Sequence, residues 1–478
     1  MTVSRSHGAE RPGASGRANA IAYLVAGAFF MENLDATVIV TALPQMAESF
    51  GVQPVDLNIG VSAYLLTLAV LIPVSGWVAD RFGARTVFGG AIVVFTLASI
   101  LCGLSQSLGA FTAARILQGA AGAMMVPVGR LIVLRNTAKE DLIRTIATIT
   151  WPALVAPVLG PPVGGFITTY ASWHWIFFLN VPLGLIGLAL AWRLIPAGGG
   201  GAARPFDGLG FVLTGLACFG LMYGLDLVSR EDGAWPGALA CLAVSLVLAV
   251  LAVRHARRAE HPMLDLWALR LRSFAVTIWG GSLFRMAINA VPFLLPLMFQ
   301  IGFGLDAFQA GLLVLAVFAG NLTMKLVTTR VLRRFRFRTV LLVNGLLNAL
   351  TLFACAFLTP ATPFALIAAL LFLSGLTRSM QFTALNTIAF ADVPQPRMSG
   401  ANTLFNVTQQ MAMGLGIALG ALALRLAGLL HDGPAGPTPL VDFQIAFVVV
   451  ALVALLAVID VVGLGRDAGD NVRAATAR

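Results

Sequence analysis

Charged side chains are scarce in this sequence of 478 residues, in which Asp, Glu, Lys and Arg together supply only 11%. Soluble globular proteins have about 25% charged residues, so the composition excludes an ordinary secreted or cytosolic protein as the default interpretation. Hydrophobic residues supply 58% of the chain. The scarcity of charge therefore predicts that most of the chain lies in a lipid bilayer.

Cysteine and histidine are scarce as well. The four cysteines fall inside apolar runs and form no CxxC pair, which argues against disulfides and against a metal site. The five histidines lie in loops or at the ends of apolar runs, and no set of nucleophile, base and acid is recognisable. We therefore predict no metal, no cofactor and no enzymatic activity.

Long apolar runs are what the sequence has in abundance. A helix needs about 20 apolar residues to cross the ~30 Å hydrocarbon core of a membrane, and fourteen such runs are present. The predicted spans are 20–42, 58–79, 87–106, 109–134, 143–168, 175–195, 208–229, 237–257, 274–300, 308–330, 339–359, 363–390, 402–428 and 442–465. This pattern predicts an all-α polytopic membrane protein. It argues against an outer-membrane barrel, whose strands alternate in polarity over about 10 residues.

The net charge of +10 is distributed unevenly across these spans. If the N-terminus is cytoplasmic, the inner segments and their flanks hold 25 of the 31 Lys and Arg, and the outer loops hold Arg230 alone. This asymmetry predicts that both termini lie in the cytoplasm. The 29 Arg against 2 Lys, with much Ala and Gly, indicate a bacterial sequence, so we expect the inner membrane of a bacterium. Arg378 lies near the inner end of span 12, from which its long side chain could snorkel to the surface. The basic balance is thus a topology signal, and we expect no nucleic-acid partner.

Two breaks in the apolar pattern divide the chain. Ala197–Asp207 is rich in glycine, Arg254–Arg272 is rich in charge, and together they bracket two spans. Six spans precede this pair and six follow it, as in transporters built from repeated halves with the substrate site between them. The predicted domains are a cytoplasmic tail at 1–19, an N-terminal six-helix half at 20–195, two additional helices with their linkers at 196–272, a C-terminal six-helix half at 273–465 and a cytoplasmic tail at 466–478.

The loop after span 2 has the pattern Gly-x-x-x-Asp-Arg-x-Gly-x-Arg. Its defining residues are Gly76, Asp80, Arg81, Gly83 and Arg85. Glycine permits a tight turn between two helices, and the carboxylate can meet a helix N-terminus or a guanidinium. The pattern resembles the signature of the major facilitator superfamily. The resemblance implies that Asp80 faces the start of span 13, near Asn402, and holds the cytoplasmic ends of the two halves together in one conformation. An ordinary solvated turn is the alternative.

Span 5 contains a cluster of prolines and glycines. Its members are Pro157, Gly160, Pro161, Gly164 and Gly165. Proline kinks a helix, and glycine lets a neighbouring helix approach closely. The cluster resembles the antiporter motif of the drug-exporting branches of the same superfamily, with Ala156 where glycine is often found. A kinked packing helix without a role in transport is the alternative.

Two further segments resemble one family within that superfamily, the fourteen-span drug:proton antiporters. One is Leu34–Pro44 at the end of span 1, with Val40 where Asn is common, and the other is Trp173–Gly184 at the start of span 6. The resemblance covers essentially the whole chain. It implies a major facilitator fold of two six-helix halves and two extra central helices. It also implies export of small amphipathic compounds or drugs in exchange for protons, by alternating access.

Span 1 carries two acids, Glu32 and Asp35, which share a helical face because they lie three residues apart. A rise of 1.5 Å per residue places them roughly 18 and 22 Å from the inner surface, and the depth of Asp35 matches that of Arg115 in span 4. Arg115 to Gln118 also resembles the fourth-span motif of the superfamily, which is associated with proton coupling. We predict that these four residues couple transport to protons. A static pair that fastens span 1 to span 4 is the alternative.

The C-terminal half has a different pattern. Arg285 lies roughly 16 Å into span 9, with Asn289 one turn later, and the acids of the last six spans lie in loops or at span ends. We predict that Arg285 and Asn289 line the substrate cavity. Water, an anionic group of the substrate or Glu32 across the cavity would compensate the buried cation. Backbone carbonyls at a helix break near Pro292 or Pro296 are the alternative.

The predicted partners are a small-molecule substrate, protons and the lipid bilayer, with the monomer as the functional unit. Two other functions fit the same sequence. One is export of a specific metabolite, such as an amino acid or sugar derivative, and the other is a transporter-like sensor that binds without translocating. Gradient-driven flux separates a carrier from a sensor, and the range of accepted compounds separates the two carriers.

Overall fold

All regular structure in the described part of the chain is helical. The computed structural model describes residues 14–52, 54–197, 205–229, 235–305, 307–430 and 440–473. Thirteen helices there are long and apolar enough to cross a membrane. A further helix of 29 residues occupies the position of predicted span 5. The predicted all-α polytopic fold is confirmed, and each predicted span has its helix.

The spanning helices are numbered in chain order. Their bounds are α1 Ala14–Val38, α2 Ile59–Phe82, α3 Ala84–Gly103, α4 Leu108–Asn136, α5 Leu142–Tyr170, α6 His174–Leu194, α7 Gly208–Ser229, α8 Trp235–Arg258, α9 Arg272–Leu297, α10 Ala307–Arg334, α11 Phe337–Cys355, α12 Phe364–Ala391, α13 Met398–Leu430 and α14 Leu440–Val462. A 3-10 turn, Ile72–Val74, interrupts α2, and a π-helical turn, Met298–Gly302, extends α9. A short helix, Leu43–Phe50, follows α1.

The helices pack mainly within two groups of six. In the N-terminal group, α1 packs on α4 and α5, α2 packs on α4, and α3 packs on α4 and α6. In the C-terminal group, α10 packs on α12, and α9 packs on α12, α13 and α14. The central helices α7 and α8 pack on each other, and α7 also contacts α2 and α13. The central pair therefore touches one helix of each group.

Glycines bring α10 and α12 into backbone contact. A Cβ atom on Gly320 would lie 2.0 Å from the carbonyl oxygen of Phe372, and one on Gly375 would lie 2.0 Å from that of Val317. Small residues permit this approach, and dispersion contacts along the two backbones stabilise it. The contact holds the two helices as one wall and fixes the direction in which their neighbouring polar side chains point.

The two groups meet along two seams. One joins α5 to α10 and α12, and the other joins α13 to α2 and α4. The segments beside the central pair reinforce the second seam. Asp265 accepts a hydrogen bond from Arg397 at 2.8 Å, and the ring centres of Phe206 and Trp77 are 4.9 Å apart. The central cavity lies between the seams.

Candidate functional site

Asp35 lies at the centre of a buried polar cluster. Its Oδ2 accepts a hydrogen bond from Arg115 Nη1 at 2.7 Å. Its Oδ1 accepts from Gln118 Nε2 at 3.0 Å and from Asn180 Nδ2 at 2.7 Å. Asp35 is 2% exposed and Arg115 is 1% exposed, so the structure brings the two depth-matched residues together as a buried ion pair.

Ser99 completes this cluster, which joins α1, α3, α4 and α6. Its Oγ accepts from Gln118 Nε2 at 2.9 Å and from Asn180 Nδ2 at 3.1 Å. The Arg115 guanidinium lies 4.3 Å from the centre of the Tyr64 ring, a cation–π distance. Sequence reasoning missed Ser99 and Asn180 as site residues. A lone amide in the apolar span 6 was the available signal for Asn180.

Glu32 lies one turn before Asp35 but outside the cluster. The Tyr64 hydroxyl donates to its Oε1 at 3.3 Å, and its Oε2 is buried without a hydrogen-bond partner. Gly122 of α4 leaves space beside it, since a Cβ atom there would lie 3.4 Å from Oε1. The two acids of α1 therefore differ: Asp35 accepts three hydrogen bonds, one of them from a guanidinium, and Glu32 accepts one.

The turn after α2 falls at Gly83, whose φ of 83° lies in the region that favours glycine. Just before it, Asp80 Oδ1 accepts from Arg135 Nη2 at 2.7 Å, so the carboxylate pairs with the end of α4. Asp80 also lines a cavity of about 50 Å³ with Ser399 at the start of α13. It thus lies beside α13, as expected, but its ion-pair partner belongs to α4 and not to α13.

The two arginines of the same motif differ in their surroundings. Arg85 donates to the carbonyl of Trp192 in α6, and its guanidinium lies 4.8 Å from the centre of that residue's ring. Arg81 is exposed. Arg85 therefore fastens α3 to α6, which leaves Asp80 as the motif charge nearest to the contact between the halves.

The halves touch near Asp80 through a set of residues that we call the interhalf contact: Gly76, Pro127, Ser399, Asn402 and Thr403. A Cβ atom on Gly76 would lie 2.2 Å from Thr403 Oγ1 and 3.2 Å from Ser399 Oγ. Asn402 Nδ2 donates to the Pro127 carbonyl at 2.9 Å. This contact closes one end of the molecule between α2, α4 and α13.

Two glycines of the antiporter motif pack against the end of α1. A Cβ atom on Gly160 would lie 2.4 Å from Thr37 Oγ1, and one on Gly164 would lie 2.2 Å from Thr41 Oγ1. A Cβ atom on Gly165 would meet nothing within 4 Å. The motif thus sets the distance between α5 and the helix that carries Glu32 and Asp35.

Pro157 and Pro161 belong to the same motif. Helix α5 runs from Leu142 to Tyr170 without an interruption at either proline. Their side chains lie outside the described part of the structure. Within that part, the contact of the motif with α1 is made by its glycines.

A cavity of about 300 Å³ lies between the halves. Helices α1, α4 and α5 form one wall, and α9, α10, α12 and α13 form the other. Its lining includes four phenylalanines and three arginines, Arg130, Arg285 and Arg378. Asn289 also lines it, so both residues predicted for the cavity from the sequence are found there. Arg378, which could snorkel from its place near the inner end of span 12, is part of the lining of this cavity.

Arg285 reaches back along its own helix. Its Nη1 donates to the Thr277 carbonyl at 3.0 Å, and its guanidinium lies 4.9 Å from the centre of the Phe405 ring. Gly281 leaves room for this path, since a Cβ atom there would lie 2.9 Å from Nη1. Neither the expected partner Glu32 nor a carbonyl near the α9 prolines is a contact of this guanidinium in the structure.

Arg130 of α4 is a cavity residue that sequence reasoning missed. Its Nη1 donates to Asn406 Oδ1 at 2.9 Å and to Gln409 Oε1 at 3.4 Å, both on α13. Its guanidinium lies 5.1 Å from the centre of the Phe405 ring, which also contacts Arg285. A cation within an apolar span was the available signal, because such residues usually face a cavity or a partner.

Comparison with known families decides the class of protein. The family model of the Major Facilitator Superfamily matches residues 25–417. The chain belongs to this superfamily. It is therefore a membrane transporter, and the prediction that it is not an enzyme is confirmed.

Curated relatives of the same length support this assignment. A protein of Escherichia fergusonii named "Putative multidrug resistance protein MdtD" is 37% identical over 453 residues, which cover 94% of this chain and 95% of that protein. Proteins of the same name from Escherichia coli strain 55989 and from Shigella sonnei have the same identity and coverage. The resemblance to multidrug-efflux transporters is thus confirmed.

Two solved transporters share the fold. The human organic anion transporter MFSD10 (TETRAN) has a TM-score of 0.65 at 15% identity, over 95% of this chain and 100% of that one. The proton:xylose symporter XylE has a TM-score of 0.65 at 13% identity, over 96% and 99%. The predicted major facilitator fold is confirmed. At these identities the likeness concerns the fold alone.

Proposed function

We propose that this transporter exports small amphipathic compounds from the bacterial cytoplasm in exchange for protons. One juxtaposition carries the proposal: a cavity with apolar and polar walls lies beside a buried acid, Glu32, whose neighbours Phe29 and Asn33 line that cavity. The multidrug name of the MdtD relatives supports export of more than one compound. The two solved transporters are named for an organic anion and for a sugar, so the shared fold does not select a substrate.

The orientation is part of this proposal. With both termini in the cytoplasm, as the basic residues indicate, the interhalf contact closes the cytoplasmic end of the cavity. A cysteine at the exposed Ala361, after α11, should react with a membrane-impermeant thiol reagent on intact cells. A cysteine at the exposed Ala138, before α5, should react only after the membrane is broken. The reverse pattern would contradict the direction of transport.

Of the two acids on α1, Glu32 is better placed to carry the proton. Asp35 accepts hydrogen bonds from a guanidinium and two amides, so both of its oxygens have partners. Glu32 has one hydroxyl donor and one buried oxygen without a partner. Burying an uncompensated carboxylate costs several kcal/mol, whereas a protonated carboxyl is accommodated at a much lower cost. Proton binding at Glu32 therefore favours a closed, dry site, and proton release favours a site open to water.

Helix α1 connects this proton site to the rest of the carrier. The Asp35 cluster holds α1 against α3, α4 and α6 on one side, and Gly160 and Gly164 hold it against α5 on the other. Helix α5 also forms part of the seam with α10 and α12 of the C-terminal half. A change of charge at Glu32 thus acts on α1, and because α1 packs closely on its neighbours, a movement of α1 would move them as well.

Transport into proteoliposomes tests the proposal. With an acidic lumen, molecules that insert with their cytoplasmic face outward should accumulate substrate, and a proton-permeable ionophore should abolish the accumulation. A panel of dyes and metabolites identifies accepted compounds. Accumulation that ignores the pH gradient would contradict proton exchange. Saturable binding without any flux would favour the sensor, and flux of a single compound would favour the exporter of a specific metabolite.

A further inference from the structure

The charged side chains that line the central cavity are all cationic. Arg130, Arg285 and Arg378 belong to its lining, and no Asp or Glu of the described residues does. We propose that the transported compounds are amphipathic organic anions, bound through a carboxylate, sulfonate or phosphate group. This inference rests on the proposed export function and specifies the class of substrate for the same cavity.

Acids do not neutralise these arginines within the part of the chain that the structure describes. The ion pairs found there join other residues, such as Arg115 with Asp35. Glu32 is the acid beside the cavity, and if ionised it would offset one of the three positive charges and leave two. Apolar walls focus such a field, so the cavity attracts anions and repels cations.

The guanidinium of Arg285 presents the edge that binds carboxylates. Nη1 is occupied by the Thr277 carbonyl, which fixes the plane of the group. Nε and Nη2 are buried without partners. These two nitrogens form one side of the planar fork, and a carboxylate or phosphate can accept from both at once. Arg285 is therefore preorganised for a bidentate contact with an anionic head group.

Neutral polar groups line the same cavity on the wall formed by α10 and α12. The side-chain amides of Asn321 and Asn386 are buried and have no hydrogen-bond partner at either atom, and the same is true of the Ser379 hydroxyl. Buried polar atoms in proteins nearly always have partners. A wall with so many unpaired groups is suited to a ligand that carries several hydrogen-bonding oxygens.

The opposite wall carries Asn33, Arg130 and Thr150, but between them it offers apolar surface for the rest of the molecule. Phe29 of α1 and Ile146 and Ile149 of α5 face the cavity there. An anion with an apolar body can place its head group on α9, α10 and α12 and its body on α1 and α5. Ligand pockets span about 300–1,000 Å³, so this cavity of about 300 Å³ fits a compound of one or two rings.

Three probes with the same ring system and head groups of different charge test the proposal. The compounds 1-naphthoate, 1-naphthamide and 1-naphthylmethylammonium share one ring system and are anionic, neutral and cationic. Binding to the full-length protein in lipid nanodiscs is measured by calorimetry without a pH gradient. We expect 1-naphthoate to bind at least about tenfold more tightly than either of the others, as one charge-assisted hydrogen bond provides.

Variants of the arginines test whether a preference for the anionic probe arises in the cavity. Arg285→Gln with Arg378→Gln should abolish the preference for the anion, and Arg285→Lys with Arg378→Lys should retain most of it. Arg254→Gln, at an exposed position of α8, is the matched control and should leave it unchanged. Equal affinities, a preference for the amide or the cation, no saturable binding of the anion, or an anion preference that survives the double Gln variant would overturn the proposal. Gradient-driven flux of a neutral or cationic compound would leave proton-coupled export standing while this inference fails.

Discussion

Two buried arginines, Arg115 in the N-terminal half and Arg285 in the C-terminal half, have opposite surroundings. In the N-terminal half, Arg115 is 1% exposed and forms an ion pair with Asp35 at 2.7 Å. In the C-terminal half, Arg285 is 2% exposed and contacts a backbone carbonyl and an aromatic ring, with no carboxylate among its described contacts. The first arginine is paired with an acid, and the pair stabilises the packing of α1. The second keeps donors available, which is what a binding site requires.

The largest effect should follow from leaving Arg115 without an acidic partner, as Arg285 is within the described part of the chain. Asp35→Asn removes the charge that neutralises Arg115, and breaking a buried pair in this way costs about 3–5 kcal/mol. We expect the free energy of unfolding to fall by that amount and transport to be lost with it. Thermal unfolding of the purified protein, followed by tryptophan fluorescence, measures the loss.

Arg285→Gln is the matched control for this prediction. It also removes a buried charge, but no buried anion is left behind, so the unfolding temperature should change much less. Asp35→Asn combined with Arg115→Gln should recover part of the lost stability, because the uncompensated cation is then gone as well. Equal losses for Asp35→Asn and Arg285→Gln would contradict the difference between the halves.

The second effect concerns the two acids of α1. Glu32→Gln preserves the shape of the side chain and its contact with Tyr64, so stability should change by less than about 1 kcal/mol. Gradient-driven accumulation should nevertheless be abolished, while exchange of labelled for unlabelled substrate at equal pH should persist. Tyr64→Phe is the milder companion variant, since it removes only the hydroxyl donor at 3.3 Å. If Glu32→Gln still concentrates substrate against its gradient, the proton is carried elsewhere.

The parts of this comparison that could be predicted from the sequence are those set by membrane thickness. Each span needs about 20 apolar residues, which is why every predicted span has its helix. A fixed rise per residue also matched the depth of Asp35 with that of Arg115. Both predictions used only distances along the membrane normal.

The other side-chain contacts depend on how each helix is rotated and packed, and the depth of a residue does not specify either. Asn180 reaches Asp35 because of the way α6 is rotated, and Arg130 reaches α13 because α4 lies on the seam between the halves. Arg285 and Glu32 were matched in depth, yet the free space at Gly281 lets the arginine turn along its own helix. Side-chain direction, which the sequence does not specify, therefore decides which of the candidate partners Arg285 contacts in this structure.

The third effect tests how tightly α1 is held on its other side. Gly160→Ala would place a methyl group 2.4 Å from the hydroxyl of Thr37 in α1, and Gly164→Ala would place one 2.2 Å from that of Thr41 in the turn after α1, so α5 must shift. Overpacking of this kind costs about 1–3 kcal/mol, and we expect a matching loss of stability with slower transport. Gly165→Ala is the control in the same motif, because it meets nothing within 4 Å. Equal effects at the three positions would show that contact with α1 is not the role of the motif.

The smallest effect is expected at Asp80, where a charge pair lies at the surface. Both side chains of the pair with Arg135 are 36% exposed, and such pairs contribute at most about 1 kcal/mol. Asp80 also lies beside Ser399 of the other half, so Asp80→Asn should shift the ratio of inward-open to outward-open molecules several-fold without unfolding the protein. Spin labels at the exposed Ser49 and Ala361, on opposite halves, report that ratio as a distance distribution.

The same measurement separates a gate from a binding site. Asp467→Asn makes the same chemical change at an exposed position beyond α14, and it should leave the distance distribution as it is. For Asp80→Asn the order of preference among substrates should not change, because Asp80 lines the small cavity at the interhalf contact and not the central cavity. A reordered preference would place Asp80 within reach of the substrate. An unchanged ratio would mean that Gly76, Asn402 and their neighbours hold the halves together without help from the charge.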